Sequence, residues 1–197
     1  MSDLTPRQIK ARKTRKKILE AALELFSKKS FDDTTVDEIV KLSGTSKGAF
    51  YTHFKSKYEI FFEKFKEIDE VYWEFTQSLP EETNASEKLQ QLSELQMVYL
   101  RDYWGKDLFR TLYTNASPNN NYFLSKNRAI FKIVHQFVSE GQKKGEFKKD
   151  LSPEEITIII TRCMRGTLFD WCIGDDNFDL LLENQKIIHT VLDGIKA

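Results

Sequence analysis

The stretch TTVDEIVKLSGTSKGAFYTHFKSKYEIF, from Thr34 to Phe61, decides the fold. Thr34 or Thr35 is a natural helix N-cap, and Asp37 and Glu38 fall in the first turn, where the helix dipole favours acids. Val36, Ile39 and Val40 make the apolar face of a short helix. Ser43-Gly44-Thr45 ends that helix, since Gly44 is free to take positive φ. Ser46 caps the next helix, which runs to about His53 with Phe50 and Phe54 facing inward, four residues apart. Two short helices joined by a three-residue, glycine-containing turn form a helix-turn-helix.

Upstream, residues 7–17 hold Arg7, Lys10, Arg12, Lys13, Arg15, Lys16 and Lys17 with no acid. This basic arm leads into a helix whose face is Ile18, Leu19, Ala22, Leu25 and Phe26, ending at Lys28-Lys29-Ser30. Downstream, Ser56 opens a long helix lined by Phe61, Phe65, Ile68, Tyr72 and Phe75 that lasts until Leu79-Pro80. After a polar linker from Glu81 to Ser86, a helix is expected from Glu87 to Tyr103. A short one follows, bracketed by Gly105 and the Asn115–Asn121 stretch, and then a helix from Tyr122 to Lys143. Ser152-Pro153-Glu154 starts another, with proline at the first helical position, and Gly174 ends it. The last runs from about Phe178 to Ile195. No strand pattern or repeat stands out. The expectation is an all-α protein of about nine helices. A three-helix unit with the helix-turn-helix, residues 1–57, is joined by the long helix to a second helical domain, residues 58–197.

The net charge is zero, but it is unevenly spread. Residues 1–57 carry 13 Lys/Arg against 7 Asp/Glu, and residues 58–197 carry 17 against 23. The first part suits a polyanion and the second would be repelled by one. Two cysteines, Cys163 and Cys172, make no disulfide framework and fit a reducing compartment. Nine apart on one helix, they lie on opposite sides and cannot bond to each other within it. No apolar run approaches membrane-span length. The stretch ILEAALELF after the basic residues carries Glu20 and Glu24, so it is no secretory core. A cytoplasmic protein is expected, with no membrane partner.

In a helix-turn-helix the second helix enters the major groove and its first residues reach base edges. Here Lys47 can donate to guanine O6 and N7 or to phosphate, and Gly48 and Ala49 allow close approach. Tyr51, Thr52 and His53 offer donors for phosphate oxygens, while Lys55 and Lys57 lie by the next helix start. The segment from Thr34 to Phe61 resembles the DNA-binding signature of the TetR/AcrR family, and the resemblance extends back to Thr14, about 48 residues in all. The patterns EGQKKGEF, DLSPEE and RGTLFDWCIGDDNFD resemble the family's last two helices, while residues 80–140 resemble nothing nameable. Family members often carry Ala at the positions of Val40 and Ser43, and Val at that of Thr45. The resemblance implies that Thr35 caps its helix and contacts phosphate, that Lys47 and Gly48 reach bases, and that Tyr51, His53 and Lys57 hold the DNA backbone. With Ser46 and Thr52 these form the expected DNA-binding set.

The middle of the chain is rich in aromatic residues. Trp73, Tyr99, Tyr103, Trp104, Phe109, Tyr113 and Phe131, with His135, suit a pocket for an amphipathic or aromatic effector, or an ordinary core. Broad apolar faces on the last two helices exceed what a monomer buries. Ile156, Ile160, Cys163, Met164, Thr167, Trp171, Leu181, Ile188 and Leu192 are therefore expected at a two-fold, four-helix interface. The expected partners are a palindromic operator in double-stranded DNA, a small effector and a second copy. No metal-ligand cluster, phosphate loop or nucleophile elbow is present, so neither cofactor nor catalysis is expected. The competing reading is a protein-interaction module, such as a coactivator, that kept this architecture without operator binding. The intact Lys47, Gly48 and Tyr51 argue against it.

Overall fold

The computed structural model describes residues 5–29, 31–114 and 124–197; the side chains of Ser27, Phe61, Phe62, Lys64, Leu112 and Thr114 lie outside that description. Among these residues nine α-helices follow in order: α1 Pro6–Lys29, α2 Val36–Ser43, α3 Lys47–His53, α4 Glu59–Ser78, α5 Ala85–Tyr99, α6 Gly105–Thr114, α7 Ala129–Lys144, α8 Pro153–Ile173 and α9 Leu180–Ile195. Two compact units result, Met1–Phe65 and Lys66–Ala197, and the division falls within α4. The expected ends at Ser30, the Asn115–Asn121 stretch and a helix start at Tyr122 lie outside the described residues.

In the first unit the basic run is part of α1 rather than an arm preceding it. Thr5 and Gln8 cap it reciprocally: Thr5 N donates to Gln8 Oε1 at 2.8 Å, and Gln8 N donates to Thr5 Oγ1 at 3.3 Å. Pro6 at the first helical position already has the required φ. Ile18, Ala21, Ala22 and Phe26 form the buried face of α1, which shares its core with Ile39, Phe50, Phe54 and Phe65. The N-cap of α2 is Thr35, in a reciprocal box with Glu38, whereas Thr34 is buried. Gly44 ends α2 in the left-handed region, φ 63°, and Ser46 accepts a hydrogen bond from Ala49 N to begin α3. The Ser43 and Thr45 hydroxyls are hydrogen-bonded to each other at 2.8 Å across the turn.

In the second unit, asparagine, serine and aspartate caps start the helices: Asn84 with Glu87 for α5, Ser152 with Glu155 for α8, and Asp179 for α9. α5 does not run unbroken to Tyr103. Its last turn widens into a π-helical turn over Leu100–Trp104, and Gly105 at φ 75° redirects the chain into α6. Ile133, Val134, Phe137 and Val138 of α7 pack inward with Leu92, Phe109, Ile156, Ile160, Met164 and Leu168. Gly141 sits where an added Cβ would come within 2.4 Å of the Phe147 ring, so only hydrogen fits between α7 and that ring. Arg128, at the N-cap of α7, is buried against Asp69 of α4, with Nη2–Oδ1 at 2.6 Å and Nε–Oδ1 at 3.0 Å. Beside them Tyr72 is fully buried, and desolvation pushes its phenol well above the ordinary range, with the Arg128 charge opposing that shift.

Within one protomer the expected interface residues differ in burial. Ile156, Ile160, Met164, Thr167, Trp171, Ile188 and Leu192 are already buried inside the protomer, and only Cys163 and Leu181 keep part of their surface. α8 has two apolar sides: α6, α7 and α9 pack on it and take up the broader one. The opposite side carries Ile159, Cys163, Gly166, Phe169 and Ile173, of which Ile173 is 63% exposed. Leu182 of α9 is exposed as well.

Candidate nucleic-acid interface

α2 and α3 bring Thr35, Ser46, Lys47, Gly48, Tyr51 and Thr52 to solvent within the first unit, with His53 half-buried at the end of α3. Lys47 Nζ lies 2.7 Å from Asp37 Oδ1, and that hydrogen bond and charge raise the lysine pKa. Asp37 thus holds the ammonium at the start of α3 in the free protein. The Tyr51 ring is exposed and set edge-on to Phe50 at 5.3 Å, so the core fixes its direction. Not every expected donor is free. Thr52 Oγ1 donates to Gly48 O at 2.8 Å, and Thr35 Oγ1 donates to Glu38 Oε2 at 2.7 Å while accepting from Glu38 N. Ser46 Oγ accepts from Ala49 N and keeps its own proton available.

Lys57 is turned inward: its ammonium donates to Phe31 O at 2.5 Å, Thr34 O at 2.8 Å and Asp32 O at 3.2 Å. Arg15 is also turned in, with Nη1 at 2.7 Å from Glu63 Oε2 and its guanidinium 4.7 Å from the Phe54 ring centre. The remaining cations of the run, Arg7, Lys10, Arg12, Lys13, Lys16 and Lys17, are exposed along α1. A wound helix therefore presents them at fixed spacing.

Gly48 answers to no demand of the fold. Its φ is ordinary and an added Cβ would meet only Ser46 Oγ, at 3.8 Å. A glycine inside a helix costs about 0.5–1 kcal/mol relative to alanine. Gly48→Ala is expected to stabilise the free protein by about that amount while weakening duplex DNA binding, because the methyl occupies the space a groove wall needs. Thermal melting and a binding titration on one preparation check both signs. A rise in both stability and affinity would remove the close-approach role.

Glu38 joins the Thr35 cap to Lys29, whose Nζ lies 2.5 Å away. Hydrogen bonds from Lys29 and from Thr35 bring its carboxyl pKa down from 4.5 to about 2. A depressed carboxyl pKa contributes stability above its unfolded value, which is lost as pH falls through the folded one. The stability gap between wild type and Glu38→Gln is expected to be flat above about pH 5 and to close towards about pH 2. Denaturant titrations across that range would show it; a gap independent of pH would mean the charge does nothing for α2.

The expected effector residues occupy several settings. Trp73 is exposed, and Tyr103 is 74% exposed, stacked on Tyr99 at 4.7 Å between ring centres. Trp104, Phe109 and Tyr113 form a packed cluster, closed by Tyr113 OH donating to Arg165 O at 2.9 Å. Phe131 and His135 line a shallow recess of about 340 Å³ with Lys126, Lys132 and Glu154. A separate groove of about 340 Å³ between α5 and α9 is lined by Gln90, Glu94, Arg101, Asp179, Ile188 and His189, none of which the aromatic pattern singled out. Among the described residues no group of three or more His, Cys, Asp or Glu could hold a metal, and no helix is long and apolar enough to cross a membrane.

Comparison with known proteins places the chain. Residues 18–63 match the family of bacterial regulatory proteins, tetR family, and residues 123–194 match the YsiA-like protein C-terminal region. The HTH-type transcriptional regulator QacR of Staphylococcus aureus is 33% identical over 162 residues, covering 82% of this chain and 75% of its own. The fatty acid metabolism regulator protein of Bacillus subtilis is 24% identical over 183 residues, covering 90% and 93%. The crystal structure of Thermus thermophilus FadR, a TetR-family transcriptional repressor in complex with lauroyl-CoA, superimposes with TM-score 0.78 at 21% identity, covering 91% of this chain and 94% of its own. That superposition bears on the fold, and the QacR match bears on the lineage. The chain belongs to the TetR family of bacterial regulatory proteins.

Proposed function

We propose that this regulator is a ligand-responsive repressor that holds a palindromic operator as a homodimer and lets go when a small amphipathic molecule binds. Residues 1–57 act as the DNA-binding domain, and residues 58–197 bind the effector and a second copy. The observation that carries the reading is the outer side of α3, where Lys47, Gly48 and Tyr51 are exposed together and Gly48 is bare without structural need. Thr35, Ser46, Thr52 and His53 flank them, and the exposed cations of α1 extend the positive surface. Phosphate contacts supply much of the affinity and make it salt-sensitive, while Lys47 and the α3 backbone read bases.

Two copies associate through the outward sides of α8 and α9, with Ile159, Phe169, Ile173 and Leu182 as apolar anchors. A two-fold dimer places its recognition helices about 34–36 Å apart to meet successive major grooves. α4 contributes to both units, so an effector that displaces its second half also acts on its first. A coupling of about 1–3 kcal/mol changes operator affinity about 5–150-fold. Because relatives include a fatty acid metabolism regulator and a repressor bound to lauroyl-CoA, a long-chain acyl thioester is the first effector class to try. The protein works in the cytoplasm, beside its operator, with no catalytic step.

Selection from a random duplex pool, followed by sequencing, tests the DNA side. One palindromic motif is the expected result. Retention without a motif would leave charge alone as the basis of binding, and no retention would favour the protein-interaction reading. Titrating saturated acyl-CoAs against the selected site tests the effector class, and unchanged affinity across the series rules that class out.

A further inference from the structure

The corner between α1 and α2 is held by a side chain from far along the sequence. Phe31, Asp32 and Thr34 turn three carbonyl oxygens towards the Lys57 ammonium, at 2.5, 3.2 and 2.8 Å. An ammonium has three N–H donors, and here each has an acceptor. The same nitrogen lies 4.3 Å from the Phe31 ring centre, a cation–π contact, and Phe31 is itself packed on Phe26 at 5.0 Å and edge-on to Tyr58 at 6.3 Å. The gathered carbonyls belong to the segment directly before Thr35, whose backbone and hydroxyl cap α2. Thr34 N donates to Phe31 O, so the corner is also closed on itself. Partial burial lowers the Lys57 pKa, and the nearby Asp32 and Asp33 oppose that shift.

We propose that Lys57 is a positioning residue, gathering the carbonyls of Phe31, Asp32 and Thr34 so that Thr35, α2 and thereby α3 keep their register, and that it neutralises no phosphate of the bound DNA. The proposal rests on the DNA-binding reading for its functional meaning, but the clamp acts in the free protein. A compact tetrahedral ammonium suits three converging carbonyls, whereas a planar guanidinium does not.

Lys57→Met and Lys57→Arg in the full chain test it, first by amide hydrogen exchange without DNA. The Glu38 and Ile39 amides, which bond to Thr35 Oγ1 and Thr35 O, are expected to exchange about tenfold faster or more in the methionine variant. Complete unfolding of the first unit would support the clamp equally, since a phosphate contact contributes nothing when DNA is absent. Unchanged exchange overturns the proposal. The second readout is affinity for the selected operator against salt. The clamp predicts weaker binding in both variants, about tenfold, with a log–log salt slope altered by far less than the ~0.9 that one lost phosphate contact removes. A slope lowered by ~0.9 in Lys57→Met, with affinity kept in Lys57→Arg, would assign Lys57 to phosphate instead. If the wild-type chain binds no operator, the DNA-binding reading fails while the exchange experiment still decides the clamp.

Discussion

Asp69→Ala is expected to destabilise the second unit by about 3–5 kcal/mol, the usual cost of removing one partner from a buried ion pair. The large value comes from the residue left behind. The Arg128 side chain is 3% exposed and meets the Asp69 carboxylate through both Nε and Nη2, so truncation takes the facing carboxylate from a buried guanidinium. Neighbouring Tyr72 is fully buried and uncharged, and so offers no counter-charge. Urea unfolding read by tryptophan fluorescence measures the loss. Asp69→Asn keeps one acceptor and should fall between the two. Pairing Asp69→Ala with Arg128→Met should recover most of the stability, because an apolar replacement of a whole buried pair is often neutral or better. A cost below about 1 kcal/mol for Asp69→Ala would mean that the guanidinium finds water on its own.

Phe50→Ala is expected to cost about 3–5 kcal/mol in the first unit, the range for truncating a buried phenylalanine. Phe50 is fully buried, and its ring lies 5.9 Å from Phe54 and 5.3 Å from Tyr51. α3 has seven residues, far short of what holds a helix in water unaided. Its shape therefore comes from the core beneath it. A unit of this size holds little stability in reserve, so operator binding should fall about a hundredfold or more at 37 °C while the second unit keeps its own melting transition. Operator titration and two-wavelength melting check the two halves of that statement. Full operator affinity in a Phe50→Ala protein would show that DNA alone can shape α3.

The parts of the molecule that the sequence made legible are those written in local signals. Gly44, Ser46 and the Phe50–Phe54 spacing each act within one or two turns, and the helix-turn-helix is built from them. Ser152-Pro153 likewise located α8 to the residue. The Thr5-Pro6-Arg7-Gln8 start of α1 is also a local capping signal, but a run of cations without apolar spacing reads as an arm ahead of the helix. Other features have no local signature. Lys57 finds its carbonyls 23 to 26 residues upstream, and Arg128 finds Asp69 59 residues away. On α8 both sides are apolar, so spacing alone could not tell which the protomer covers. The packing of α6, α7 and α9 makes that choice. The aromatic residues of the middle segment share a composition but are split by tertiary structure into an exposed stack, a packed cluster and a recess.

The reciprocal cap at Thr5 and Gln8 also bears on the heat of association. A flexible basic tail that winds up on a duplex gives a large, unfavourable ordering entropy and a heat-capacity change typical of coupled folding. α1 arrives already wound for its 24 residues, so its cations meet a polyanion as a preset ladder rising about 1.5 Å per residue. With α1 on the duplex as proposed, calorimetry of the complex is expected to read desolvation and counterion release from this helix without the signature of its folding.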